Sequence, residues 1–146
     1  MPDRYWRSEV ELTDIFPYLC LIERAHHYNS PMTCKILIVR TSSLGDLVHM
    51  LPAISDIARH VPGAQIDWLV EESFAQIPGW HPAVNEVIPV AHRRWRKQWW
   101  SAQTRQERAA LREQLQSRQY DVVLDMQALM KSIWLVRQAH GVRDGL

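Results

Sequence analysis

The period of the apolar positions changes along the chain. Ile36-Leu37-Ile38-Val39 is an unbroken apolar run closed by the polar turn Thr41–Asp46, which predicts a strand buried on both faces of a parallel sheet. From Leu47 to His60 the apolar residues Leu47, Val48, Leu51, Ile54, Ile57 and Ala58 take helical spacing. Pro52 is expected to kink that helix early, and Pro62-Gly63 to stop it. Gln65 to Val70 is a second strand, so a right-handed βαβ unit spans the first half of the region. The same rhythm predicts a short helix over Glu71–Ile77, a third strand at Val84–Val90 and an amphipathic helix over Thr104–Ser117 with Ala109, Leu111 and Leu115 inward. A fourth strand follows at Tyr120–Asp125, then a helix over Leu129–Ala139 that Gly141 ends, and the run Gly141–Leu146 reads as entry into a further strand. Strands alternating with helices define the fold class as α/β, with a doubly wound parallel sheet. Such sheets have five to seven strands as a rule, so this one is expected to be cut short.

The first 31 residues follow no such plan. They hold a short apolar stretch that allows one helix over Leu12–Ala25, and they end at Pro31, just before Met32. Residues 1–31 are therefore set apart as an extension of unknown role, with a start assigned upstream of the natural one as an equal reading. Residues 32–146 form the domain. The chain of 146 residues is 47% hydrophobic and 23% charged, which excludes disorder and leaves enough apolar material for a core. Two cysteines, Cys20 and Cys34, lack ligand spacing and read as thiols in a reducing compartment. No membrane span or signal peptide is visible, so a cytoplasmic location is expected. The 7 histidines are scattered, without the helical spacing of a metal site, so no metal is expected.

Three segments can carry chemistry. The turn Thr41-Ser42-Ser43-Leu44-Gly45-Asp46 lies at the carboxyl end of the first strand, where open α/β sheets bind ligands and helix N-termini attract anions. Gly45 is expected to take a backbone conformation closed to other residues and to let a ligand approach. Asp46 is read either as an N-cap or as a catalytic carboxylate. A single glycine there fits neither the dinucleotide fingerprint nor a P-loop. The second segment is Arg93-Arg94-Trp95-Arg96-Lys97-Gln98-Trp99-Trp100, in which four of five consecutive residues are cations. It reads as a solvated helix face with Trp packed beneath, as a site for an acidic amphiphile at a membrane surface, or, less well, as a nucleic-acid groove. The third is Asp125–Ser132, which leaves a strand at the same edge as Asp46; its Lys131 either reaches an acidic ligand or faces solvent.

Together these pieces resemble a known family. Lys35–Ala53, Asp67–Pro78, Val87–Val90 with Arg93–Lys97, the motif Asp125-x-Gln127-x-Leu129-x-Lys131-Ser132 and Ala139–Val142 follow in order the pattern of bacterial lipopolysaccharide heptosyltransferase I, of glycosyltransferase family 9. The resemblance implies an incomplete N-terminal, acceptor-binding Rossmann-like domain of a GT-B glycosyltransferase, with the C-terminal donor domain absent. It implies inverting transfer of L-glycero-D-manno-heptose from ADP-heptose, a substrate rather than a cofactor, to a Kdo of Kdo2-lipid A. No cofactor and no nucleic-acid partner are implied, and the location becomes the cytoplasmic face of the inner membrane, peripherally. Asp46 matches the catalytic base. Arg93, Arg96 and Lys97, with Arg94 and Lys131, match acceptor-binding cations, and Thr41, Ser42, Ser43 and Gly45 match the cleft loop. ADP-heptose requires the C-terminal domain, so this chain is expected to be inactive alone. Ala128 stands where the family has Gly. The competing expectation is a non-catalytic module that holds an acidic glycolipid or other polyanion through its Arg/Trp-rich segment.

Overall fold

The computed structural model describes residues 33–127, 137 and 139–144, all within the unit Met32–Leu146. Strand β1 (Lys35–Val39) leads into helix α1 (Leu44–His60), then strand β2 (Gln65–Glu71). Two single 3₁₀ turns, Glu72–Phe74 and Pro78–Trp80, lead to strand β3 (Val84–Val90). Helix α2 (His92–Lys97) and helix α3 (Ala102–Gln116) precede strand β4 (Gln119–Asp125), and β5 (His140–Asp144) comes last. All pairings are parallel and the order is β3-β2-β1-β4-β5. The order reverses between β1 and β4, and a doubly wound sheet opens a crevice at such a reversal.

The central strands are apolar at most of their buried positions because both faces are covered, and the buried Asp67 of β2 is bonded by Asn85, Arg118 and Tyr120. On one face Leu37, Val39, Leu69, Ile88 and Val123 pack with Leu111 and Leu115 of α3 and with Trp95 of α2. Alternation along the strands turns Ile36, Ile38, Ile66 and Trp68 to the other face. There α1 covers them with its buried Leu47, Met50, Ile54 and Ile57, each contributing roughly 1.5–3 kcal/mol by leaving water. Trp68 is fully buried, and its indole N–H donates to the Arg40 carbonyl at 3.2 Å.

Several expectations shift. Helix α1 starts at Leu44, three residues before the apolar pattern does, and it continues through Pro52. Glu71–Ile77 is not one helix: Glu71 ends β2, and only the 3₁₀ turn Glu72–Phe74 lies inside that span. Ala109 is exposed, and Thr104 is buried in its place with Leu111 and Leu115. Positions 104, 111 and 115 define a narrower stripe, since α3 is polar over most of its surface. The further strand anticipated after Gly141 is β5, which starts at His140. The helix expected over Leu12–Ala25 and residues 129–136 of the one expected over Leu129–Ala139 lie outside the described residues, as does Ala128, while Arg137 lies in a turn and Ala139 in a bend and not in a helix.

Candidate functional site

The segments that leave β1, β2 and β3 start from the same carboxyl edge: the loop 40–43, the 3₁₀ turn 72–74 and residue 91. Ser43 is the N-cap of α1, and Asp46 is its third helical residue. The Asp46 carboxylate gathers three donors on one oxygen. Oδ2 accepts from the Ser43 N–H at 2.8 Å and the Ser43 hydroxyl at 3.0 Å, and it pairs with the Arg40 guanidinium at 3.1 Å. The Ser43 amide, then its hydroxyl, then Arg40 hold the carboxyl below the usual carboxylate range. Oδ1 has no partner among the described residues, and the side chain is 46% exposed. The N-cap of α1 is therefore Ser43 and not Asp46: Asp46 bonds back to that cap through Oδ2, which leaves Oδ1 unengaged among the described residues.

Gly45 departs from its expectation. It sits in the first turn of α1 without a positive φ, whereas the positive φ of +80° belongs to Gly63 beyond the helix end. A Cβ added at Gly45 would meet nothing within 4 Å, so the first turn of α1 is open on that side. Thr41 is buried, Ser42 half-buried and Ser43 exposed. The segment is stitched to β4: the Arg40 guanidinium donates to the Met126 carbonyl, and Gln127 bonds to both Thr41 and Ser42.

The basic segment folds as helix α2. Its N-cap is Ala91, which has no side chain to cap with. Glu71, at the end of β2, supplies the carboxylate instead, accepting the Arg93 N–H at 3.0 Å. Glu71 in turn donates its own N–H to the Thr41 carbonyl at 3.3 Å. A hydrogen-bonded path therefore runs from the loop of Asp46 through Glu71 to the start of the basic helix. Two strand spacings, roughly 10 Å, separate the ends of β1 and β3 along the edge.

The four cations of α2 are not equivalent. Arg94 grips Glu72 through Nε and Nη2, both at 3.2 Å, and reaches Glu107 of α3 at 3.0 and 2.9 Å. These carboxylates raise its already high pKa, and Arg94, with its Trp95 neighbour, pulls Glu107 down to about 2. Trp95 is buried, and its indole N–H donates to Glu107 at 2.6 Å. Arg94 thus ties α2 to α3 and the β2 end. Arg93 lies over the Phe74 ring at 5.3 Å, a cation–π contact, with its guanidinium exposed. Arg96 and Lys97 are exposed and have no ion-pair partner among the described residues. Beside them Trp99 and Trp100 stand 68% and 63% exposed, edge to face at 5.7 Å. A shallow cavity of about 320 Å³ between Glu71, Glu72, Arg93, Arg94 and Lys97 carries both signs of charge. Lys131 lies outside the described residues. No cluster of metal-ligating side chains occurs among the described residues, and no helix there is long and apolar enough to cross a membrane.

Over 113 residues, 77% of this chain, the sequence is 58% identical to lipopolysaccharide heptosyltransferase 1 of Escherichia coli K12, and it is 54% identical over 103 residues to that of Pseudomonas aeruginosa. The family model for glycosyltransferase family 9 (heptosyltransferase) matches residues 108–146. The chain belongs to glycosyltransferase family 9. In three dimensions it matches the E. coli heptosyltransferase WaaC solved with ADP, at a TM-score of 0.72 and 58% identity over 75% of this chain. A family 9 structure from Veillonella parvula matches at 0.64 with 19% identity, which speaks for the fold alone. The heptosyltransferase match covers 35% of the E. coli relative and 34% of the WaaC chain, so the chain spans about a third of the length of these enzymes.

Two residues of this edge escaped the sequence reading. Glu71 was read as the start of a helix, and Gln127 as one letter of a motif. Neither has a local signal for its partners, which lie 22 residues away for Glu71 and 86 for Gln127.

Proposed function

We propose that this chain forms the acceptor-binding face of an inverting heptosyltransferase of lipopolysaccharide inner-core biosynthesis. The acceptor is a Kdo of Kdo2-lipid A, and the donor is ADP-heptose, a substrate. Asp46 is the general base. The acceptor hydroxyl oxygen attacks the anomeric carbon of the heptose as the bond to the ADP oxygen breaks, ADP leaves with the electron pair, and the hydroxyl proton passes to Asp46 Oδ1. A carboxylate held low is a weak base, but it stays ionised at neutral pH. It suffices where the hydroxyl turns acidic as the new bond forms. Arg93, Arg96 and Lys97 bind the carboxylate and phosphate groups of the acceptor, with Arg offering paired N–H donors. Arg94 holds the helix that carries them. Lys131, which matches a family cation, adds positive charge for the same acceptor. Trp99 and Trp100, beside Arg96 and Lys97, suit an enzyme lying peripherally on the cytoplasmic face of the inner membrane.

The observation that carries this reading is the path Thr41–Glu71–Arg93, which links the loop of the proposed base to the cations at one rim. The test is a chimera in which residues 34–146 replace the matching third of the E. coli enzyme. Asp46→Ala is expected to abolish heptose transfer with acceptor affinity within threefold of the parent, whereas Arg93→Ala with Arg96→Ala raises the acceptor KM in a salt-dependent way. Transfer that survives Asp46→Ala removes the base assignment. Retained transfer with both arginines gone removes the acceptor assignment.

A further inference from the structure

We infer that Gln127 is a positioning residue that aims the Asp46 carboxylate from across the crevice between β1 and β4; the inference rests on the assignment of Asp46 above. Gln127 is two residues beyond the end of β4. Its N–H donates to Asp125 Oδ1 at 3.0 Å, a local turn that directs its side chain back towards β1. There it is used to capacity. Oε1 accepts the Thr41 N–H at 3.0 Å and the Thr41 hydroxyl at 2.5 Å. Nε2 donates to the Ser42 carbonyl at 3.3 Å and to the Ser42 hydroxyl at 3.1 Å. A backbone N–H can only donate, so the Thr41 amide dictates which end of the Gln127 side chain is oxygen.

The consequence for Asp46 comes through the next residue. Gln127 grips positions 41 and 42, and Ser43 follows directly, supplying two of the three donors on Asp46 Oδ2. With Oδ2 held by those donors, Oδ1 is the oxygen left for a proton. Arg40 is a second strap across the same gap, bridging the Met126 carbonyl and Asp46 itself. The charged groups around the amide are therefore Arg40 and Asp46 on the β1 side and Asp125 on the β4 side. An amide is the group that serves here, because it accepts towards Thr41 and donates towards Ser42 from one planar unit. A carboxylate keeps the first pair but cannot donate to the Ser42 carbonyl, and a thioether of the same length loses the donors and most of the acceptor strength.

The test follows the Asp46 carboxyl carbon by NMR through an acid titration of the whole 146-residue chain. In the parent, Asp46 titrates below the ordinary carboxylate range. Gln127→Met is expected to move its midpoint up by roughly half a pH unit or more as the Ser43 donors drift away. Gln127→Asn, which keeps a neutral amide but is one methylene short of Thr41 and Ser42, is expected to move it up without adding a charge beside Asp46, and serves if the Met variant does not fold. Amide shifts of α1 beyond Leu47 report that the helix itself is intact. An Asp46 midpoint unchanged in the variant that folds overturns the inference, because Gln127 then only packs the loop. The readout is a proton equilibrium and not transfer, so this result and the chimera result for Asp46 fail independently.

Discussion

Removing the Glu71 carboxylate tests how the basic helix is held. Glu71 is 4% exposed, and its Oε1 accepts the second helical N–H of α2 at 3.0 Å. Helix α2 has six residues, too few to persist alone, and its own N-cap position is Ala91. A hydrogen bond between an ionised carboxylate and a backbone amide contributes about 1.5–3 kcal/mol, and relief of the buried charge returns part of that. The net cost of Glu71→Ala is then about 1.4 kcal/mol, and a cap substitution of this kind costs ~0.5–2 kcal/mol. Local opening of α2 should become about tenfold more frequent. The assay is amide hydrogen exchange at Trp95 and Gln98, whose N–H groups bond to Ala91 and Arg94 inside the helix. Both are expected to exchange about tenfold faster in Glu71→Ala, and by a smaller factor in Glu71→Gln, which keeps a neutral acceptor. Unchanged exchange at both amides in Glu71→Ala would mean that α2 is held from elsewhere, and the link from Thr41 to Arg93 would lose its physical meaning.

Other outcomes follow from the same contacts. Glu107 titrates at about 2 in the folded protein, against 4.5 for a free glutamate, so its contribution to stability is complete above pH 4.5 and fades as pH falls towards 2. Acid unfolding of Glu107→Gln should therefore show a shallower loss of stability across that window than the parent, and an equal slope would place the acid sensitivity on other carboxylates. Leu115 is fully buried under α3, and Leu115→Ala is expected to cost about 2–5 kcal/mol in urea unfolding with an unchanged m-value. A cost below 1 kcal/mol would show that α3 re-seats without a cavity.

The strands were legible because parallel strands covered on both faces leave unbroken apolar runs, as Ile36–Val39 and Val122–Leu124 do. The edge carrying Asp46 was legible for a topological reason, since each strand of a βαβ unit ends on the same side. Helix α1 starts before its apolar pattern because Leu44 and Gly45 belong to an exposed first turn that no core contact marks. Thr104 in place of Ala109 was not legible, because a stripe of three buried positions on a polar helix allows more than one phase. Arg94 looked like its neighbours until Glu72 and Glu107, from two other elements, were seen to close on it. Gly45 looked special by type alone, and its backbone is ordinary. The roles of Glu71 and Gln127 depend on partners that only the folded sheet brings near.

A direct measurement is available on the whole chain: an NMR titration with deacylated Kdo2-lipid A, reading the backbone amides of 41–46 and the side-chain Nε–H signals of Arg93 and Arg96 together. One acceptor spanning the rim predicts that both groups of signals move along a single binding curve, with an affinity that weakens as salt is raised. Movement of the arginine signals alone, with the Asp46 loop still, would contradict a shared site and leave the cations as a separate anion-binding surface.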